Sequence, residues 1–424
     1  MLSEEQRLEL SEPDIFQDHE KVHAIFTWMR EHEPVAFCPE NYGGKGFWSI
    51  TKYDDIQEIS KNPKLFSSDA GIVLEEPEMR RIKEGRSAED QNEFEVQMFE
   101  SGSSMIVMDP PQHTKHRRMV APGFTPQKLD ALVPRIRECC TKILDQISDK
   151  SECEFVTNVA AELPIQMLAE LLDVPREDRL QLFEWSNIVI GGDDPDVAIS
   201  REHVVNAFTQ MAMYALALRE KREKEPGDDL ISMVVNTPVD GKPISMEDYL
   251  AAFVLLVVAG NETTRNSISG GIYALSQHPN EKRKLLDDPS LIPRAVDEII
   301  RWVHPVIYMR RTALADTEIR GQQIREGDKL ALWYMSGNRD EEKWDDPFTF
   351  DVTRNGPRHL SFGYGQHLCI GWRLAEIQLG VALEEILRRF PDMEAVGDVY
   401  RLRSNFLHSI KRMQVRFSPG QRAA

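Results

Sequence analysis

The chain has 424 residues, 41% hydrophobic and 29% charged, an ordinary globular balance that excludes wholesale disorder. Its formal net charge of -19 excludes a global nucleic-acid footprint, because phosphate binding needs a positive field. Five cysteines, an odd and low count for the length, exclude a disulfide framework and point to a reducing, cytoplasmic setting.

Met1 to Arg7 lack the basic start and apolar run of a signal peptide. The most apolar stretch, 250–260, is about half of the ~20 residues that span a bilayer. No membrane anchor is expected, and the stretch reads as a buried helix. Phe47-Trp48-Ser49-Ile50 has the aromatic and branched content of a strand, and residues 54–61 read as a short helix. Residues 75–100 are charged and weakly periodic, and 71–105 reads as a long surface connection of the kind that forms lids. Helical spacing then predicts helices over 127–147, 158–172, 200–222, 246–277 and 291–302. Residues 313–335 alternate between turn signals and short strands, Cys369 opens a further helical stretch, and 401–417 reads as strands. The fold class is mainly α with a small β region, in one domain over 1–424, and a monomer is expected.

Three glycines surround one cysteine in Phe362-Gly363-Tyr364-Gly365-Gln366-His367-Leu368-Cys369-Ile370-Gly371. They permit positive φ and the close approach of a flat ligand, and a helix start beyond Cys369 favours a thiolate. The alternative is a glycine-rich turn with a buried cysteine. Zinc is excluded here, because no second ligand pair stands near His367 and Cys369. Glu298 and Arg301 sit at i and i+3, where an ordinary exposed ion pair is the alternative. Ala259-Gly260-Asn261-Glu262-Thr263-Thr264 interrupts the apolar helix with groups that can open its hydrogen-bond ladder. In Asp109-Pro110-Pro111-Gln112-His113-Thr114-Lys115-His116-Arg117-Arg118, the i, i+4 spacing puts His113 and Arg117 on one helix face.

The cysteine segment resembles the cytochrome P450 signature Phe-x-x-Gly-x-x-x-Cys-x-Gly at Phe362, Gly365, Cys369 and Gly371. The resemblance extends from about Phe47 to Phe417 with the motifs in order. It implies the P450 fold, a helical bundle around a buried haem b with a long central helix and minor antiparallel sheets. It implies Cys369 as the iron ligand, with Phe362, Gly363 and Gly260 also against the haem. His113, Arg117, Arg311 and His367 would hold the propionates. Glu298 and Arg301, braced by Arg354 after Phe350-Asp351, would lock the core. Glu262 and Thr263 match the family's acid–alcohol pair for proton delivery, although the family often has Asp where Glu262 stands. Leu255, Val258, Ala259, Val306, Ile307, Phe406 and Leu407 would line the substrate pocket. The implied activity is hydroxylation of an apolar molecule with O2. Electrons would come from an iron–sulfur ferredoxin with a flavin reductase, docking on a basic rim of Lys115, Arg118 and Arg373. No flavin or nicotinamide fingerprint stands in the chain itself. Within the family, the segments around 260–268, 309–318 and 333–340 are similar to alkane and fatty-acid terminal, sterol side-chain and terpene hydroxylases. A peroxide-driven peroxygenase and a non-catalytic haem sensor are the alternatives.

Overall fold

Ser245 starts the longest helix. Its hydroxyl accepts the Asp248 N–H at 3.0 Å, and Glu247 and Asp248 put negative charge on the first turn. The helix runs Met246–Gln277, as the apolar periodicity predicts. Between Tyr249 and Leu275 only Ala259 and Gly260 are exposed, so this central helix is a core element with no solvent face. Gly270 permits close packing against the helix Ile292–Val303: a Cβ there would lie 2.7 Å from Val303. The helices Glu162–Leu171, Arg179–Ile190 and Arg201–Lys224 also pack on the central helix.

The computed structural model describes residues 2–83, 85, 104–191, 194–197 and 199–420. The helices expected over 127–147, 200–222 and 291–302 are Pro126–Asp145, Arg201–Lys224 and Ile292–Val303. The single helix expected over 158–172 is two pieces: a wide π turn, Val156–Ala160, followed by Glu162–Leu171. Ala161 N–H bonds back five residues to Val156 at 2.8 Å, and Pro164 has no N–H to continue the ladder across the junction.

Five strands form the larger sheet, in the order Val35–Cys38, Phe47–Ile50, Lys329–Trp333, Tyr308–Ala313, Phe66–Ser67. Phe47–Ile50 and Lys329–Trp333 pair in parallel and the rest antiparallel. A second sheet joins Glu152–Glu154, Ile410–Arg416 and Glu394–Arg401. The strands expected over 401–417 are therefore one strand, and 402–409 is the turn before it. The largest apolar core unites Pro126–Asp145, Ile292–Val303 and the helix Trp372–Arg389. A smaller one packs Leu10, Phe16 and Phe26 onto the sheet around Trp333. Of the expected access loop over 71–105, residues 84 and 86–103 lie outside the described residues. Its start is tied to the sheet: Arg310 N–H donates to the Ile72 carbonyl and Leu74 N–H to the Tyr308 hydroxyl, both at 2.8 Å.

Candidate active site

The cysteine loop is shaped by its glycines. Gly363 and Gly365 take φ of +71° and +69°, and a Cβ on Gly365 would lie 2.3 Å from the Ser60 carbonyl oxygen. No L side chain fits there. Gly363 N–H donates to the Leu360 carbonyl at 2.7 Å and Cys369 N–H to the Phe362 carbonyl at 2.9 Å, which closes the loop. The following helix starts only at Trp372, so Cys369 stands ahead of its first turn. Cys369 is exposed, yet the atoms crowded around it push its thiol up, against the Gly371 N–H and the nearby Arg117 and Arg358 cations. The Gly371 N–H at the start of that helix and the two cations favour the thiolate, and a bound metal deprotonates such a thiol outright.

Four more predicted residues converge beside this loop. The His113 and His367 rings lie 4.3 Å apart. Arg117 Nη2 donates to the Leu368 carbonyl at 2.7 Å. Arg311 is buried on the sheet and donates only to the Arg310 carbonyl among the described residues. Its neighbour Arg310 instead pairs with Glu76 at 3.1 Å, which separates two arginines that sequence alone distinguishes only by resemblance. Burial, helped by the Arg117 and Arg311 cations, pushes His113 down to about 4 and His367 to about 2. Arg117 and Arg311 are lowered by burial too. The nearby carboxylate of Asp109 is engaged by Ser67 and by the Ser68 N–H. Two guanidiniums and two imidazoles therefore meet with no ion pair among the described residues, and Asp109 acts on His113 and Arg311 only from a distance. That arrangement is costly by itself and suits a ligand carrying two carboxylates.

On the central helix, Ala259 and Gly260 are the exposed stretch and Thr263 is half-buried. The helix is unbroken here, contrary to the expected opened turn. The ladder continues through this turn, and the Thr263 hydroxyl donates back to the Ala259 carbonyl at 3.0 Å. A Cβ on Gly260 would meet Leu168 at 3.3 Å, so this glycine also seats the helix Glu162–Leu171. Glu262 is buried, ion-paired with Arg265, and accepts from Ser409 at 2.6 Å and Asn266 at 3.3 Å. Arg265 at i+3 was legible as a partner; Ser409 is 147 residues away and carried no sequence signal.

The two apolar segments expected in the pocket wall do come together. Val306 bridges Leu407, and Ile307 N–H donates to the Phe406 carbonyl at 2.9 Å. Val306 and Phe406 are partly open, whereas Ile307 and Leu407 are each 2% exposed. Ile307 belongs to the core around Trp333 and Val258 to the core of the Arg201–Lys224 side. Leu255 is buried without joining any apolar core.

Glu298 and Arg301 form a fully buried bidentate pair, Nε–Oε2 2.6 Å and Nη2–Oε1 2.7 Å. Arg354 Nε adds a bond to Glu298 at 3.2 Å, and the Asp351 N–H another at 3.0 Å. Arg301 also holds the Asn338 and Pro347 carbonyls at 2.8 and 3.0 Å, so the three residues clamp the 338–354 segment to the Ile292–Val303 helix. The expected basic rim is only partly free: Lys115 pairs with Asp240 and Arg373 with Asp130. With 70 acidic against 51 basic residues, exposed cations readily find partners. Arg118 and Arg358 remain exposed, Arg358 stacked over Trp372 at 4.6 Å. Arg358 was missed in the sequence.

A loop-borne cysteine, a cation cluster suited to two carboxylates and a buried helix open only at Ala259 and Gly260 fit a haem-thiolate protein. The comparisons agree. The family profile "Cytochrome P450" matches residues 153–394. The linalool 8-monooxygenase of Pseudomonas putida is 38% identical, covering 98% of this chain and 100% of that protein. A methyl-branched lipid omega-hydroxylase of Mycobacterium bovis is 37% identical, covering 93% and 90%. A Mycobacterium marinum cytochrome P450 solved with pseudoionone superposes with a TM-score of 0.86 at 34% identity, covering 94% and 95%. The chain belongs to the cytochrome P450 family; it is a monooxygenase whose cofactor is haem b. Among the described residues, no helix is long and apolar enough to cross a membrane.

Proposed function

We propose that this monooxygenase hydroxylates an unactivated or allylic C–H bond of an acyclic terpenoid or a fatty-acyl chain. The reaction consumes the substrate, O2, two electrons and two protons, and yields the alcohol and water. The bound haem supplies the oxygen chemistry. Cys369 would hold its iron, while Arg117, Arg311, His113 and His367 would hold the propionates. Thr263 can rotate its hydroxyl from the Ala259 carbonyl toward the exposed turn, and Glu262 would feed it protons from the buried side. Leu255, Val306 and Phe406, on three separate elements, offer the substrate only apolar contact.

The partly open apolar side chains of Val306 and Phe406, on segments that bridge each other, are the observation that supports the substrate class. It fits the linalool and methyl-branched lipid activities named for the two relatives. Electrons would come from an iron–sulfur ferredoxin with a flavin reductase, docking where exposed Arg118 and Arg358 flank the cysteine loop. The test is a spin-state titration of the ferric protein with linalool, dodecanoic acid, a methyl-branched fatty acid and a steroid. Product analysis follows with a ferredoxin system and, separately, with peroxide alone. Spin shift and hydroxylation of terpenoid or acyl substrates with the ferredoxin support the proposal. A response confined to the steroid, or turnover with peroxide only, contradicts it.

A further inference from the structure

Resting on the reading of Glu262 as the proton-feeding acid, we propose that Ser409 is a positioning residue of that relay, able to complement Glu262 in both of its protonation states. The Ser409 hydroxyl lies 2.6 Å from Glu262 Oε1 and 2.8 Å from Asn266 Oδ1. It has one proton for two acceptors. When Glu262 is a carboxylate, that proton points to Oε1. When Glu262 carries a proton on Oε1, the carboxylic acid donates to the Ser409 oxygen, whose own proton turns to Asn266 Oδ1. The hydroxyl reverses its bond without moving a heavy atom.

No other contact of Glu262 does this. Arg265 and Asn266 Nδ2 reach Oε1 as pure donors and cannot accept a proton from it. Oε2 is buried without a partner among the described residues, so every bond that positions the acid is made at Oε1. The charged and polar groups around the acid are Arg265, Asn266 and Ser409. Arg265 is itself anchored by Asn187 at 3.0 Å and lies over the Phe183 ring. Without Ser409, Glu262 would lose this bond in both of its forms, and Asn266 Oδ1 would lose its donor.

Ser409 also closes the turn that carries Phe406 and Leu407: its carbonyl accepts the Leu402 N–H at 3.0 Å. The segment forming one substrate wall thus ends on the relay acid.

The experiment compares wild type, Ser409→Ala, Ser409→Thr and Glu262→Gln as haem-loaded proteins. Linalool serves as substrate, with dodecanoic acid in its place if linalool gives no spin shift. Infrared spectra across pH locate the carboxylic-acid carbonyl band that Glu262→Gln abolishes. In Ser409→Ala this band should move to higher frequency, as a less hydrogen-bonded acid does, and Ser409→Thr should restore it. During turnover, Ser409→Ala should lower product formed per reducing equivalent by about 3- to 10-fold, the scale of one hydrogen bond. It should raise the solvent isotope effect and leave the substrate-induced spin shift intact. An unmoved band with wild-type coupling and isotope effect in Ser409→Ala, while Glu262→Gln is impaired, overturns the role of Ser409 alone. Unimpaired coupling in Glu262→Gln overturns the relay reading beneath it.

Discussion

Replacing Glu298 by glutamine keeps the side-chain shape but removes the one carboxylate that faces two arginines. Glutamine can still accept one bond, but its amide then points donors at the donors of Arg301 or Arg354. Breaking a fully buried pair by removing one partner costs about 3–5 kcal/mol, because the other charge is left uncompensated. Total stabilities are only about 5–15 kcal/mol, so the loss is a large share. Arg354 is the more exposed partner and gives Glu298 one bond at 3.2 Å. Arg354 also donates to the Asp346 and Thr349 carbonyls at 3.1 and 2.7 Å near the surface, so its replacement by alanine should cost about 1.5–3 kcal/mol, the range of a charged hydrogen bond. Urea melts of the haem-loaded proteins, followed by far-UV dichroism and the Soret band, should show a far lower midpoint for Glu298→Gln than for Arg354→Ala. Equal and small shifts, under about 1 kcal/mol for both, would refute the view that a desolvated charge network clamps the 338–354 segment.

Gly365→Ala should abolish haem loading, because its Cβ would meet the Ser60 oxygen at 2.3 Å on a backbone with φ +69°. Gly371→Ala should load normally, since its nearest contact is Phe124 at 3.8 Å; haem content per protein reports both. Arg311→Leu should speed haem transfer to apomyoglobin by about tenfold or more, the value of a charged hydrogen bond, without lowering the melting point of the haem-free protein. Equal haem retention would remove Arg311 from the propionate site. Stability should fall in acid. Burial holds His19 and His359 at about 3 in the folded chain, against about 6.5 unfolded. Between those values the unfolded chain binds more protons, so stability is lost as pH drops from about 6.5 and is flat above it. His23, His304 and His408 are lowered by burial in the same ring-to-ring cluster as His19 and add to the slope. Melting points from pH 8 to pH 5 that stay level or rise in acid would contradict this.

What was legible in the sequence was what local chemistry dictates. The 246–277 helix announces itself by its apolar run, and the cysteine loop by glycines that the fold requires at φ +71° and +69°. His113 and Arg117 share a face because four residues make about one helical turn. Illegible were features set by distant packing. The π turn at 156–160 is marked in the sequence only by Pro164, which lacks the N–H to continue the ladder. The Ser409 contact joins the C-terminal turn to the central helix. Ile307 and Val258 are as apolar as any pocket residue, and only the fold gives them to the core. Lys115 and Arg373 looked like free cations until Asp240 and Asp130 were brought beside them.

The most direct measurement is the absorption spectrum of the dithionite-reduced protein under carbon monoxide, for wild type and Cys369→Ala. A strongly red-shifted Soret band in the wild type that is lost in the variant is the predicted result of thiolate ligation by Cys369. A folded, haem-loaded wild type without that band, or a variant that keeps it, would contradict the assignment of Cys369 as the iron ligand.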